Sequence, residues 1–181
     1  MTKRDEVSPN SLAVADLAMK AVKVAPPLSV SFLPPYKSDS DQCTAVRMIR
    51  AGFAAETPCS AIRGVLLSPA GDQELTIKDL DAAKVHGLHL LDGPWETLES
   101  HALNYRRGGG LVRRLPISLE PFNEYYRKHN PRYFHSDYRF STVEAASYAL
   151  AVLGFSSAGH SLAETFGFGD AFLSNFASFA P

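Results

Sequence analysis

The sequence predicts an α/β protein built on a largely parallel sheet, and three observations carry that prediction. Short apolar, strand-type runs alternate with helix-type stretches through the first two thirds of the chain. Helical stretches dominate the last third. Helix starts are marked by side-chain caps, the strongest being Ser141-Thr-Val-Glu144, in which the Ser and Glu each satisfy an amide of the other's turn.

The elements follow in order. Met1–Asn10 is a polar leader, and Ser11 caps a helix through about Val24 that carries Leu12, Ala15, Leu17, Ala18 and Val22 at partly helical spacing. Pro26-Pro27 stop it, because proline lacks the amide a helix needs. Leu28–Leu33 (LSVSFL) is a strand closed by Pro34-Pro35. Asp41 or Thr44 starts a helix through Arg50 that ends near Gly52. Arg63–Ser68 (RGVLLS) has a buried-strand pattern and runs into the turn Pro69–Asp72. Thr76 caps a helix through about Val85, and Gly87 leads into the strand Leu88–Asp92. A helix follows from Pro94, since proline suits a first turn. After Gly108-Gly-Gly110 comes the strand Leu111–Leu119. The capping box at Ser141 opens a long apolar helix closed by Gly154, and helices over Ala158–Phe166 and Asp170–Phe179 finish the chain.

Composition narrows the function classes. With 181 residues, 45% hydrophobic and 20% charged, the chain suits one domain or two small lobes sharing a core. Its longest strongly apolar run, Ala145–Phe155, is too short to span a bilayer, and the N-terminus lacks a secretory apolar segment. Cys43 and Cys59 are too few for a disulfide framework and too far apart for a metal clip. The expectation is a soluble, cytoplasmic monomer with no membrane partner. No metal is expected either: the six histidines are scattered, and neither HExxH nor a nucleotide-binding glycine loop is present.

The formal net charge of −1 conceals an uneven distribution. Between His101 and Phe140 lie Arg106, Arg107, Arg113, Arg114, Arg127, Lys128, Arg132 and Arg139, opposed by Glu120, Glu124 and Asp137 alone. The window therefore carries +5 and the remainder −6. Five of the seven tyrosines share it: Tyr105, Tyr125, Tyr126, Tyr133 and Tyr138. Cations neutralise phosphates and aromatic faces stack on unpaired bases, which is the footprint of a single-stranded RNA binder. A solvated basic loop with tyrosines packed on the body gives the same composition.

Leu91-Asp92-Gly93-Pro94-Trp95 holds the chain's single Trp. It puts a carboxylate at the C-terminal end of a strand, where open α/β sheets place ligands. An indole three residues on can face a cation. An Asp helix cap beside a packed Trp is the alternative reading.

Taken in order, the motifs resemble a known family. Cys43-Thr44-Ala45-Val46-Arg47-Met48 resembles a C-T-G-K-K-L segment, and Val65–Gly71 resembles an LSP-(V/A)-G strand and turn. Leu75–Asp79 is similar to L-S-P-x-D, and Leu91–Trp95 to V-D-C-S-W. Asn130–Ala145 lines up without a gap on NPVNYGxPxKLSxVEA, and Phe166–Asn175 resembles F-K-W-G-x-x-F-L-x-L-N. Together they resemble the aminocarboxypropyltransferases of ribosome biogenesis that act on small-subunit rRNA, with the related DTW-domain tRNA enzymes. The sequence departs from that pattern at Gly93-Pro94, which replace Cys-Ser, and at Tyr133 and Phe134, which replace Asn and Tyr. Either Leu115-Pro116 or Asn123–Tyr126 fills the place of the family's LPYL.

The resemblance implies an N-terminal extension over residues 1–27, a small α/β lobe over 28–110, and a SPOUT-like lobe of trefoil-knot type over 111–181. It implies S-adenosylmethionine as co-substrate and RNA (rRNA or tRNA) as partner. The implied reaction moves the 3-amino-3-carboxypropyl group to a uracil-type N3 and releases methylthioadenosine. In the implied roles Asp92 removes or orients the imide proton, Trp95 lies against the sulfonium-bearing arm, and Glu144 holds the donor's ammonium or assists proton removal. Thr44, Leu67, Leu91, Tyr126, Asn130, Ser141 and Ala145 bind the donor, and the eight cations of the basic window bind RNA. A SPOUT-type methyltransferase, a transferase with a small-molecule acceptor and a non-catalytic RNA-binding module are the alternatives.

Overall fold

The computed structural model describes residues 25–34, 43–116 and 140–168. Six strands form one sheet: β1 (Leu28–Phe32), β2 (Ala55–Glu56), β3 (Val65–Leu67), β4 (Gln73–Glu74), β5 (Leu88–Asp92) and β6 (Leu111–Arg114). The order is β2-β1-β5-β3-β6-β4, and every pairing is parallel. Among the described residues, five α-helices accompany it: α1 (Thr44–Arg50), α2 (Leu80–His86), α3 (Trp95–Arg107), α4 (Thr142–Val152) and α5 (Ser156–Thr165).

β1 and β5 pair along their whole length, from Leu28 opposite Leu88 to Phe32 opposite Asp92. Side chains alternate across a strand, so this register puts Leu28, Val30, Leu88 and Leu90 on one face and Ser29, Ser31 and His89 on the other. The first face meets Val65 and Leu67 of β3 and is covered by α1, α2, α4 and α5 through Met48, Ala83, Val143, Ala146, Leu150 and Leu162. The second face is covered by α3, where Ala102 and Tyr105 pack with Ile62, Leu66 and Val112. β6, the first element after residue 110, is hydrogen-bonded between β3 and β4.

Helix α4 is buried on nearly every side, as a helix apolar all round must be. Its alanines at 145, 146, 149 and 151 keep it thin enough to lie against α5, α1 and β5 together. The expected capping box opens it: Ser141 Oγ accepts from Glu144 N–H (3.4 Å), and Glu144 Oε2 accepts from Ser141 N–H (2.7 Å). Gly154, with φ of 87°, ends it in the left-handed region that glycine enters without a Cβ penalty.

Three expectations are revised. The cap at Thr76 is real, but it opens a 3-10 turn over Ile77–Asp79 that leads into α2 at Leu80, rather than one continuous helix. The strand from Leu111 ends at Arg114, short of Leu119. Proline 94 is the residue before α3 rather than its first helical residue. The helices expected over Ser11–Val24 and Asp170–Phe179 lie outside the described residues, as does Asp41; α1 starts at Thr44.

The polar face under α3 holds a buried pair. Ser29 Oγ donates to His89 Nδ1, while His89 Nε2–H donates to the His86 carbonyl (3.1 Å). Burial pushes the His89 pKa below its ordinary 6.5, with the His86 carbonyl opposing part of that. The folded imidazole therefore stays neutral where the unfolded one takes up a proton. This contribution to stability is complete above about pH 6.5 and is lost as pH falls below that value. The thermal midpoint should accordingly drop between pH 7.5 and pH 5.5, and His89→Gln should make that drop shallower.

Candidate active site at the C-terminal end of the sheet

Parallel strands all present their carboxyl ends on one edge, and in open α/β sheets that edge is where ligands sit. β5 lies between β1 and β3, and its last residue is Asp92. The Asp92 carboxyl is half-buried, on the sheet face that α4 covers. Its Oδ2 accepts the thiol proton of Cys43, at 3.1 Å. Burial pushes this carboxyl above the usual carboxylate range, and the Cys43 thiol pulls part of that shift back. The backbone beyond it is tied down: Leu33 N–H donates to the Asp92 carbonyl (3.0 Å), closing the ends of β1 and β5 together. A Cβ on Gly93 would come within 3.1 Å of Leu33 Cβ, which accounts for glycine where the family pattern has cysteine.

Several of the expected donor-binding residues lie on elements that neighbour β5. Leu67, buried, ends β3 beside β5, and Leu91 is half-buried on the opposite sheet face, under α3. Thr44 is the first residue of α1, directly after the cysteine that reaches Asp92. Ser141, Glu144 and Ala145 form the first turn of α4, which packs on both α1 and β5. Glu144 is only 3% exposed, and one of its carboxylate oxygens is held on the Ser141 amide. Trp95 begins α3, immediately past the Asp92 strand end. Tyr126 and Asn130 lie outside the described residues.

Two sequence motifs distant from each other also converge. Phe166, which opens the C-terminal motif, packs edge-on against Phe53 at 5.8 Å between ring centroids. The guanidinium of Arg47, from the segment after Cys43, lies 5.0 Å over the same ring.

The basic window is organised differently from its composition. Arg113 Nε donates to Asp79 Oδ1 at 2.9 Å, with both side chains largely buried. Arg114 pairs with Glu74 at 3.2 Å and also donates to the carbonyls of Gly71 and Asp72. Arg106 pairs with Asp72 at 3.3 Å. The acids that balance these arginines thus come from residues 72–79, outside the window, because β4 and β6 are neighbours in the sheet. Arg107 is exposed, and Arg127, Lys128, Arg132 and Arg139 lie outside the described residues. Tyr105 is an internal anchor: its hydroxyl donates to the Gly64 carbonyl (3.0 Å) and its ring lies against Gly110.

Among the described residues, no cluster of three His, Cys, Asp or Glu side chains could hold a metal ion, and no helix is long and apolar enough to cross a membrane.

Residues 65–178 match the family model described as ribosome biogenesis protein, C-terminal. The chain belongs to this family. Among its relatives, a protein of Methanopyrus kandleri named 16S rRNA aminocarboxypropyltransferase is 34% identical over 138 residues, covering 75% of this chain and 76% of that one. A protein of the same name from Vulcanisaeta distributa is 29% identical over 122 residues, covering 66% of this chain and 62% of the relative. Among solved structures, the SAM-dependent rRNA:acp-transferase Tsr3 from Vulcanisaeta distributa superposes with a TM-score of 0.67 at 26% identity, covering 85% of this chain and 80% of that chain. The family match spans β3 to α5, so it includes Asp92, the whole first turn of α4 and the three paired arginines.

Cys43 falls before the matched region, and sequence reasoning missed its contact with Asp92. A lone cysteine in a sequence signals nothing about a carboxylate 49 positions away. Its place as the first residue of the C-T-G-K-K-L-like segment was the only available hint.

Proposed function

We propose that this ribosome biogenesis family member transfers the 3-amino-3-carboxypropyl group of S-adenosylmethionine to a uracil-type N3 in rRNA and releases methylthioadenosine. The observation that carries the reading is Asp92: a half-buried carboxylate at the carboxyl end of a central parallel strand, in a chain whose relatives are named 16S rRNA aminocarboxypropyltransferases. The elements beside it suit such a donor. The backbone at the strand ends near Leu67 and Leu91 suits the edges of a purine, and the buried Glu144 carboxylate suits an ammonium group.

The donor supplies a carbon made electrophilic by the neighbouring sulfonium. In this reading the chain's residues do the rest. Thr44, Leu67, Leu91, Ser141 and Ala145, with Tyr126 and Asn130, hold the adenosine and turn the methionine-derived arm toward the acceptor. Trp95 orients the sulfonium-bearing arm. Asp92 accepts the N3 proton as the nitrogen forms its new bond to carbon, and the bonding pair of the broken carbon–sulfur bond stays on sulfur. Arg107, Arg127, Lys128, Arg132 and Arg139 contact phosphates, together with whatever face the paired arginines leave open. The C-terminal region from residue 111 adopts the SPOUT-like arrangement, and the enzyme works as a cytoplasmic monomer.

Incubating the protein with S-adenosylmethionine labelled in the carboxypropyl arm and purified small-subunit rRNA tests the proposal. Label in rRNA with stoichiometric methylthioadenosine is the expected result. S-adenosylhomocysteine as product would replace the proposal with methyl transfer, and label in a small-molecule pool alone would remove RNA as acceptor.

A further inference from the structure

We propose that Cys43 is a positioning residue for Asp92: its thiol fixes one carboxylate oxygen so that the other faces the acceptor. This inference rests on the role given to Asp92 above and goes beyond it by naming the group that sets how that carboxylate is held.

The argument begins with what Cys43 does not do. It occupies the residue just before α1, in extended backbone conformation (φ −69°, ψ 119°), where Ser, Thr, Asp or Asn would turn back to cap the first amides. Its side chain makes no such cap. The backbone carbonyl alone starts the helix, accepting from Arg47 N–H at 3.0 Å. The thiol is turned instead toward β5 and lies 3.1 Å from Asp92 Oδ2. A serine here could choose between capping the helix and binding the carboxylate. A thiol is a poor capping group, because sulfur accepts hydrogen bonds weakly, while S–H can still donate to a negatively charged oxygen.

Asp92 is otherwise lightly held. Its backbone is fixed by Leu33 and by the β1–β5 ladder, but its Oδ1 takes no hydrogen bond from any described residue. One anchored oxygen and one open oxygen is the arrangement a base requires, since a free carboxylate would spread its reactive lone pairs over several rotamers. The thiol also acts on charge. It favours the ionised carboxylate, against the burial that disfavours it. Cys43 faces Asp92 from α1, Phe32 is its register neighbour on β1, and α4, which covers this face, carries the buried Glu144 carboxylate held on the Ser141 amide.

The test compares Cys43→Ala and Cys43→Ser with the unaltered protein. In Cys43→Ala the acid limb of the rate profile should move to higher pH, since the carboxylate loses the donor that favours its ionised form. The rate constant for transfer should fall by about 3- to 10-fold, with the donor's KM little changed. Cys43→Ser, which restores an O–H donor, should recover most of both. A carbon-13 titration of the Asp92 carboxyl in the same proteins reads the shift without any activity. Acid limbs and carboxyl titrations that superimpose for all three would overturn the inference, even if Asp92→Asn is inactive. Full activity in Asp92→Asn would instead remove the reading on which the inference rests, so the two failures are distinct.

Discussion

Asp92→Asn should lower carboxypropyl transfer by roughly a hundred- to ten-thousand-fold, the usual worth of a positioned general base. Asparagine keeps the volume and planar shape of the carboxylate, and its oxygen can still accept the Cys43 thiol proton. What it cannot do is take a proton from an imide nitrogen. The loss should therefore lie in the rate constant of a single turnover, with donor affinity and thermal midpoint little altered. The unaltered protein should show a rate that rises with pH through the Asp92 pKa and then levels, with that limb above the range of an ordinary carboxylate because burial raises it. A single-turnover rate for Asp92→Asn within threefold of the parent would exclude this carboxylate as the base.

Arg113→Ala should cost about 3–5 kcal/mol of folding stability, which is the penalty for leaving a buried charge without its partner. Asp79 would be the charge left behind. It is 7% exposed and already gives its second oxygen to the Thr76 amide, at 3.0 Å. For a chain of this length the thermal midpoint should fall by roughly 6–20 °C. Arg107→Ala, at an exposed position, should stay within about 0.5 kcal/mol of the parent. The double variant Arg113→Ala/Asp79→Ala should recover part of the loss, because it removes the orphaned carboxylate as well. Scanning calorimetry of the four proteins decides the matter. If Arg113→Ala melts with the parent, the pair contributes nothing to the fold and Arg113 is open to RNA.

These two residues also show what could be read in the sequence. The place of Asp92 at a strand end was legible because its evidence is local: an apolar run, its end, and an acidic residue there. The strand Leu88–Asp92 and the box Ser141–Glu144 match the structure for the same reason, since each is specified by residues within one or two turns of itself. The pairing of Arg113 with Asp79 was not legible, because that partner lies outside the cationic window in sequence. Charge counted along a chain assumes that neighbours in sequence are neighbours in space, and the β4–β6 pairing breaks that assumption. The strands β2 and β4 escaped notice since each is two residues long, exposed and without apolar alternation. The contact between Cys43 and Asp92 depends on α1 and β5 meeting at one edge of the sheet, and no local pattern encodes that.

The strand order has a temporal consequence. β1 is made some 60 residues before its full-length partner β5, and β2 offers just two residues in the meantime. The Asp92 neighbourhood then waits again for α4, about 50 residues further on, to cover it. Until α4 is made, α1 and α2 alone of the described helices can shield the apolar face of β1 and β5, so the Asp92 edge is completed only by contacts distant in sequence.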